Sequence, residues 1–172
     1  MKVSVLLADK GTPNPQQGTL NLLNVGWWQT QLRPGGPAVP GGYLTSPHAV
    51  AVFFEVDQRD CNHPIELMLS LLTEDGQPVQ VPGPTGLQDL LIVQQIIVPS
   101  PAGAPIAAPG VGNSLIEIFP GLALAPGGYE WRVRLAGQEN ADWNARFRVM
   151  HPPQAPTISF GTTTAPPETP GE

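Results

Sequence analysis

Nineteen glycines and 22 prolines punctuate these 172 residues, close to a quarter of the chain and about twice the roughly 12% of average usage. Between them the apolar side chains fall in short β-branched and aromatic runs, such as AVAVFFEV at 49–56 and LLIVQQIIV at 90–98. Long helices do not fit between such breaks, and strands of four to eight residues do. Because parallel crossovers would need helices, the pattern predicts an all-β fold: an antiparallel two-sheet β-sandwich, immunoglobulin-like or jelly-roll-like, with about eight to nine strands. A chain of this length buries one core, so one domain spans residues 1–150.

Val3, Val5 and Leu7 alternate in a first strand, and GTLNLLNVGWWQTQL at 18–32 carries Trp27 and Trp28 into a second. The segment 33–47, RPGGPAVPGGYLTSP, reads as a long contact loop, since no ladder interior tolerates its proline and glycine density. Ile65, Leu67, Leu69 and Leu71 alternate into TEDGQPV, where Asp75 and Gly76 supply a tight turn. From residue 151 the composition shifts to six prolines and five threonines in 22 residues. Such a tail is extended and cannot repay its ordering entropy by burial. Its apolar island around Ile158 and Phe160 is the natural anchor for a partner.

Charge narrows the function classes. Fourteen acidic against eight basic side chains give a net charge of -6, which argues against a nucleic-acid partner. No run approaches the roughly 20 apolar residues of a membrane span. MKVSVLLADKG holds too short an apolar core for a signal peptide, so export through the secretory route is not expected. With Cys61 as the single cysteine, no intrachain disulfide forms.

Catalytic and metal constellations are not legible. His48, Cys61 and His63 lack zinc-site spacing, and Glu55, Asp57 and Asp60 lack the calcium-loop pattern. No nucleophile elbow or phosphate-cradling loop occurs. The expectation is a protein that is not an enzyme and needs no cofactor. Trp27, Trp28 and Tyr43 are candidate recognition aromatics for a glycan or protein; adjacent tryptophans on a strand point to opposite faces, so one belongs to the core.

Residues 129–149, YEWRVRLAGQENADWNARFRV, place Arg132, Arg134, Arg146 and Arg148 in one short stretch. Setting Tyr129, Trp131, Val133 and Leu135 inward opposite Val149, Phe147, Ala145 and Trp143 buries every apolar side chain. That register puts Glu130 opposite Arg148, Arg132 opposite Arg146 and Arg134 opposite Asn144. The opposed Arg132 and Arg146 would repel, and their replacement by glutamine would then cost no stability. A partner's carboxylates, from a capsid or tail subunit or from another copy of this chain in a homo-oligomer, would satisfy them; the alternative is a solvated strand face tethered by Glu130 and Glu139.

The stretches VSVLLAD, TLNLLNVG, TEDGQPV and FPGLALAPGGYEWRVRL together make the chain resemble an uncharacterised family of small bacterial β-sandwich domains, common in actinobacteria and their phages. The resemblance implies a fold and no catalytic residues. With the proline-rich loop and tail, it points to a structural virion protein of a bacteriophage, assembled in the host cytoplasm, that decorates or cements a capsid or tail through protein contacts. The alternatives are a glycan- or protein-binding recognition module and a cytoplasmic domain of unknown role.

Overall fold

The computed structural model describes residues 1–14, 17–34, 42–100, 103 and 108–151. Ile158, Phe160 and the rest of 152–172 lie outside the described residues, as does the centre of the 33–47 loop.

The described chain is all-β, with one short 3-10 turn at Gln58–Asp60. Twelve strands follow in order: β1 (Lys2–Asn14), β2 (Thr19–Val25), β3 (Gln29–Pro34), β4 (Tyr43–Thr45), β5 (His48–Val56), β6 (Pro64–Thr73), β7 (Gln80–Gly83), β8 (Gly86–Asp89), β9 (Leu91–Ile97), β10 (Gly110–Ile118), β11 (Gly127–Leu135) and β12 (Gln138–Met150). They form a four-stranded sheet in the order β10-β5-β1-β2, a six-stranded sheet in the order β4-β3-β12-β11-β6-β9, and the small hairpin β7-β8. Val5, Leu7, Val50, Val52 and Ile116 from the first sheet and Leu67, Leu69, Trp131, Val133 and Phe147 from the second share one core. β5, apolar on both faces in sequence, is the central strand it should be, flanked by β1 and β10 and buried almost throughout.

The strand count exceeds the eight or nine expected, for local reasons. The stretch 18–32 is not one strand. Asn24 and Gly26 take φ of 51° and 80°, backbone values an extended strand does not have, so β2 stops and Trp27 and Trp28 lie in the link to β3. The 33–47 loop also contributes to a ladder, because Arg33 and Pro34 pair with Leu44 and Tyr43. Proline is tolerated there at a strand end.

Two further expectations are corrected. The six-stranded sheet is mixed, since β3 runs parallel to β12 over Gln29–Gln31; the whole intervening chain serves as the crossover, so no helix is required. The β11-β12 hairpin has inward and outward faces as expected but a register displaced by two residues. Ala136 and Gly137 form a two-residue turn with φ of 50° and 74°, which pairs Leu135 with Gln138. Positive φ at both central residues matches strand twist. The step from Arg132 to Arg134 on β11 then spans Asn144 to Glu139 on β12, and the surplus forms a bulge in which the Asn144 amide donates to the Ala141 carbonyl. Beyond the bulge Trp131 faces Ala145, and Glu130 faces Arg146.

Candidate binding groove

The corrected register removes the repulsive pair. Arg132 lies opposite Asn144, and Glu130 sits between Arg132 and Arg146. Its Oε1 accepts from Arg132 Nε at 2.9 Å and Nη2 at 2.6 Å, and its Oε2 accepts from Arg146 Nε at 2.8 Å. The guanidinium groups cover the carboxylate, leaving Glu130 8% exposed although it faces outward. Burial pushes its pKa up, but the hydrogen bonds from Arg132 and Arg146 and their charges outweigh that and hold it below the usual carboxylate range. Arg134 donates to Glu139 at 2.9 Å, and Arg148 approaches Glu74 at 3.8 Å. All four arginines are thus matched to carboxylates of this chain, three closely and Arg148 loosely.

Arg148 stands on the wall of a groove of about 350 Å³ lined by Trp28, Thr73, Glu74, Gly128, Tyr129, Glu130, Arg146 and Phe147. The β11 start supplies one wall, the end of β12 another, and the link before β3 the third. Parallel pairing fixes that link: the Arg148 amide donates to the Trp28 carbonyl at 2.8 Å. Gly128 admits Glu74, since a Cβ there would come within 2.7 Å of the Glu74 carboxylate. The turn after β6 is held against β11 by the Glu74 amide, which donates to the Gly128 carbonyl at 3.0 Å.

The aromatics divide into one core and one exposed ring, although both lie in the link before β3 and not on a strand. Trp28 is 66% exposed, whereas Trp27 packs on the core, edge-on to His48 at 5.5 Å and to Phe147 at 5.8 Å. Tyr43 is also exposed but pairs with Pro34 at the far end of β3, roughly 20 Å from Trp28 at about 3.3 Å per residue. The three therefore make no common platform. Sequence reasoning missed Glu74 and Tyr129 as groove walls, because the link from Trp28 to β12 depends on a parallel pairing with no local signal.

Among the described residues no group of three or more His, Cys, Asp or Glu side chains gathers where a metal ion could be held. Cys61 is buried, and His48 is held in the core with its Nδ1 at 3.1 Å from the Ser46 carbonyl. Burial lowers the His48 pKa, against smaller opposing effects of that hydrogen bond and of Asp9. No helix of the described residues is long and apolar enough to cross a membrane. Compared with protein-family models and with curated proteins, the chain matches none.

Proposed function

We propose that the chain is a non-enzymatic structural and attachment subunit, of the kind that decorates or cements a phage capsid or tail, and that it grips its protein partner at the Trp28 groove. The observation that carries this reading is an indole 66% exposed beside a loosely held Arg148 and Glu74. Tryptophan and arginine are the residues that dominate protein interfaces, and a large ring in a partly walled groove is where such energy concentrates. The fitting partner is a protein segment that lays an apolar side chain on Trp28 and a carboxylate against Arg148.

We infer further that the sandwich is immunoglobulin-like. β1-β5-β10 correspond to strands A-B-E, β6, β11 and β12 to C, F and G, and β9 to an added C′ strand. Tyr129, at the start of β11, donates its hydroxyl to the Ala125 carbonyl at 2.9 Å, as the tyrosine corner of that fold does. Trp131, fully buried two residues later, fills the place of the second cysteine, so an indole stands where a disulfide otherwise would. The sequence resemblance to small bacterial and phage sandwich domains supports the same reading.

The test is co-sedimentation of the chain with particles from the producing cells. Wild type should sediment with a capsid or tail protein, and Trp28→Ala should not, with its melting temperature unchanged. A chain that remains free of particles contradicts the virion reading; Trp28→Ala particles indistinguishable from wild type contradict the groove. Binding by an immobilised oligosaccharide instead of a protein would move the groove to the glycan-recognition alternative.

A further inference from the structure

We propose a second, separate contact surface: the free edge of β9 pairs antiparallel with β9 of another copy, joining two six-stranded sheets into one continuous sheet. β9 ends the sheet, pairing with β6 on one side and with no strand among the described residues on the other. The Leu71 amide donates to the Leu90 carbonyl. Because successive residues of a strand present their N–H and C=O groups to alternate sides, Ile92, Gln94 and Ile96 address β6. Leu91, Val93, Gln95 and Ile97 therefore present theirs to the free edge. Leu91, Val93 and Ile97 are also 47%, 49% and 65% exposed, an unblunted apolar edge of the sort monomeric proteins avoid.

The residues themselves identify the occupant. The strand LIVQQII is self-complementary about Gln94: a two-fold axis there pairs Leu91 with Ile97 of the second copy, Ile92 with Ile96, Val93 with Gln95, and Gln94 with itself. Every free-edge group then finds a partner, about eight hydrogen bonds in all, because the two-fold brings odd-numbered residues opposite odd-numbered residues. An axis one residue earlier would set Ile97 against Asp89, and one residue later would set Leu91 against Pro99.

Charge selects the same surface. Copies with a net charge of -6 repel wherever acidic groups meet, but Leu90 to Ile116 contains no charged side chain. Of the other uncharged outer strands, β2 is interrupted by the left-handed Asn24 and β4 is only three residues long, so neither offers a comparable straight edge. In the dimer the two Trp28 grooves would lie on one face, seven inter-strand spacings or about 34 Å apart along the sheet, a bivalent arrangement that raises avidity without new contacts.

Sedimentation of the full chain at high micromolar concentration should show a dimer that added salt leaves intact or strengthens, since screening relieves repulsion. Gln95→Pro removes only an N–H directed to the free edge and should yield a monomer with wild-type circular dichroism. If that variant fails to fold, Val93→Lys, which places two cations at the joint, should yield the monomer instead. Under oxidation Gln94→Cys should cross-link two copies, its Cα atoms lying about 4.5 Å apart, and Gln95→Cys, separated by more than about 7 Å, should not. A chain monomeric at every concentration, a dimer that survives the edge substitutions, or one that dissolves in salt would overturn the proposal.

Discussion

Glu130 and Trp131 are neighbours on β11 and look to opposite faces of one sheet. On the outer face each carboxylate oxygen of Glu130 accepts from an arginine. On the inner face Nε1 of Trp27, Nε2 of His48 and Nε1 of Trp131 have no hydrogen-bond partner among the described residues. His48 lies 5.5 Å from Trp27 and 6.2 Å from Trp131 between ring centres, so the three form one aromatic cluster. Magnitudes explain the contrast. An unsatisfied N–H costs about 1–3 kcal/mol, while burying roughly 200 Å² of indole at about 25 cal/mol per Å² gains about 5 kcal/mol. A buried carboxylate has no comparable apolar area to offset its desolvation, so it must be paired. The core carries unpaired polar atoms on large rings; the charged face cannot.

Substitutions should separate the two faces. The largest effect belongs to Trp131→Ala, expected to cost about 3–5 kcal/mol in denaturant unfolding. Trp131→Phe should cost far less, because it removes the unpaired N–H along with part of the area. Next comes Glu130→Gln, which leaves Arg132 and Arg146 short of their acceptor. With both guanidiniums partly solvated, the expected loss is about 1–2 kcal/mol, and Arg132→Gln with Arg146→Gln should destabilise in the same way. Tyr129→Phe should cost about 0.5–1 kcal/mol by removing the solvent-exposed hydrogen bond to the Ala125 carbonyl. Smallest is Arg134→Gln, whose exposed pair with Glu139 should be worth only a few tenths of a kcal/mol.

Acid should remove the contributions of His48 and Glu130 in sequence. His48 has a folded pKa below its ordinary value of 6.5, so the folded state binds that proton less readily than the unfolded chain. Stability therefore falls as pH drops below about 6.5 toward the folded pKa. Glu130 is depressed below its ordinary 4.5, so its contribution is whole above that value and is lost as pH falls through the folded pKa. Melting temperature followed from neutral pH downward should show the first decline vanish in His48→Phe and the second shrink in Glu130→Gln.

The fold class was legible because proline and glycine cut the chain into strand-length pieces and alternation then assigned each piece its faces. That logic separated Trp131, Val133 and Leu135 from Arg132 and Arg134 without error. Register was not legible. The run AGQENAD reads as one loop, yet Ala136 and Gly137 turn alone and the rest returns to the ladder through a bulge, moving Glu130 from Arg148 to Arg146. Face depends on a period of two and survives a two-residue slip; ion pairing depends on the register itself. The groove was half legible for the same reason. Trp28 stood out as an aromatic, but its walls come from Glu74 and β12 through a parallel pairing that no local pattern announces.

With these arginines neutralised within the chain, the proposed attachment should depend on Trp28 and not on the Arg132 and Arg146 charges. The direct measurement is particle co-sedimentation of two variants beside wild type, each checked for fold by circular dichroism. Trp28→Ala should keep the wild-type melting temperature and lose attachment, while Arg132→Gln with Arg146→Gln should melt lower and still attach. The reverse, attachment kept without Trp28 and lost without the two arginines at unchanged stability, would contradict the account.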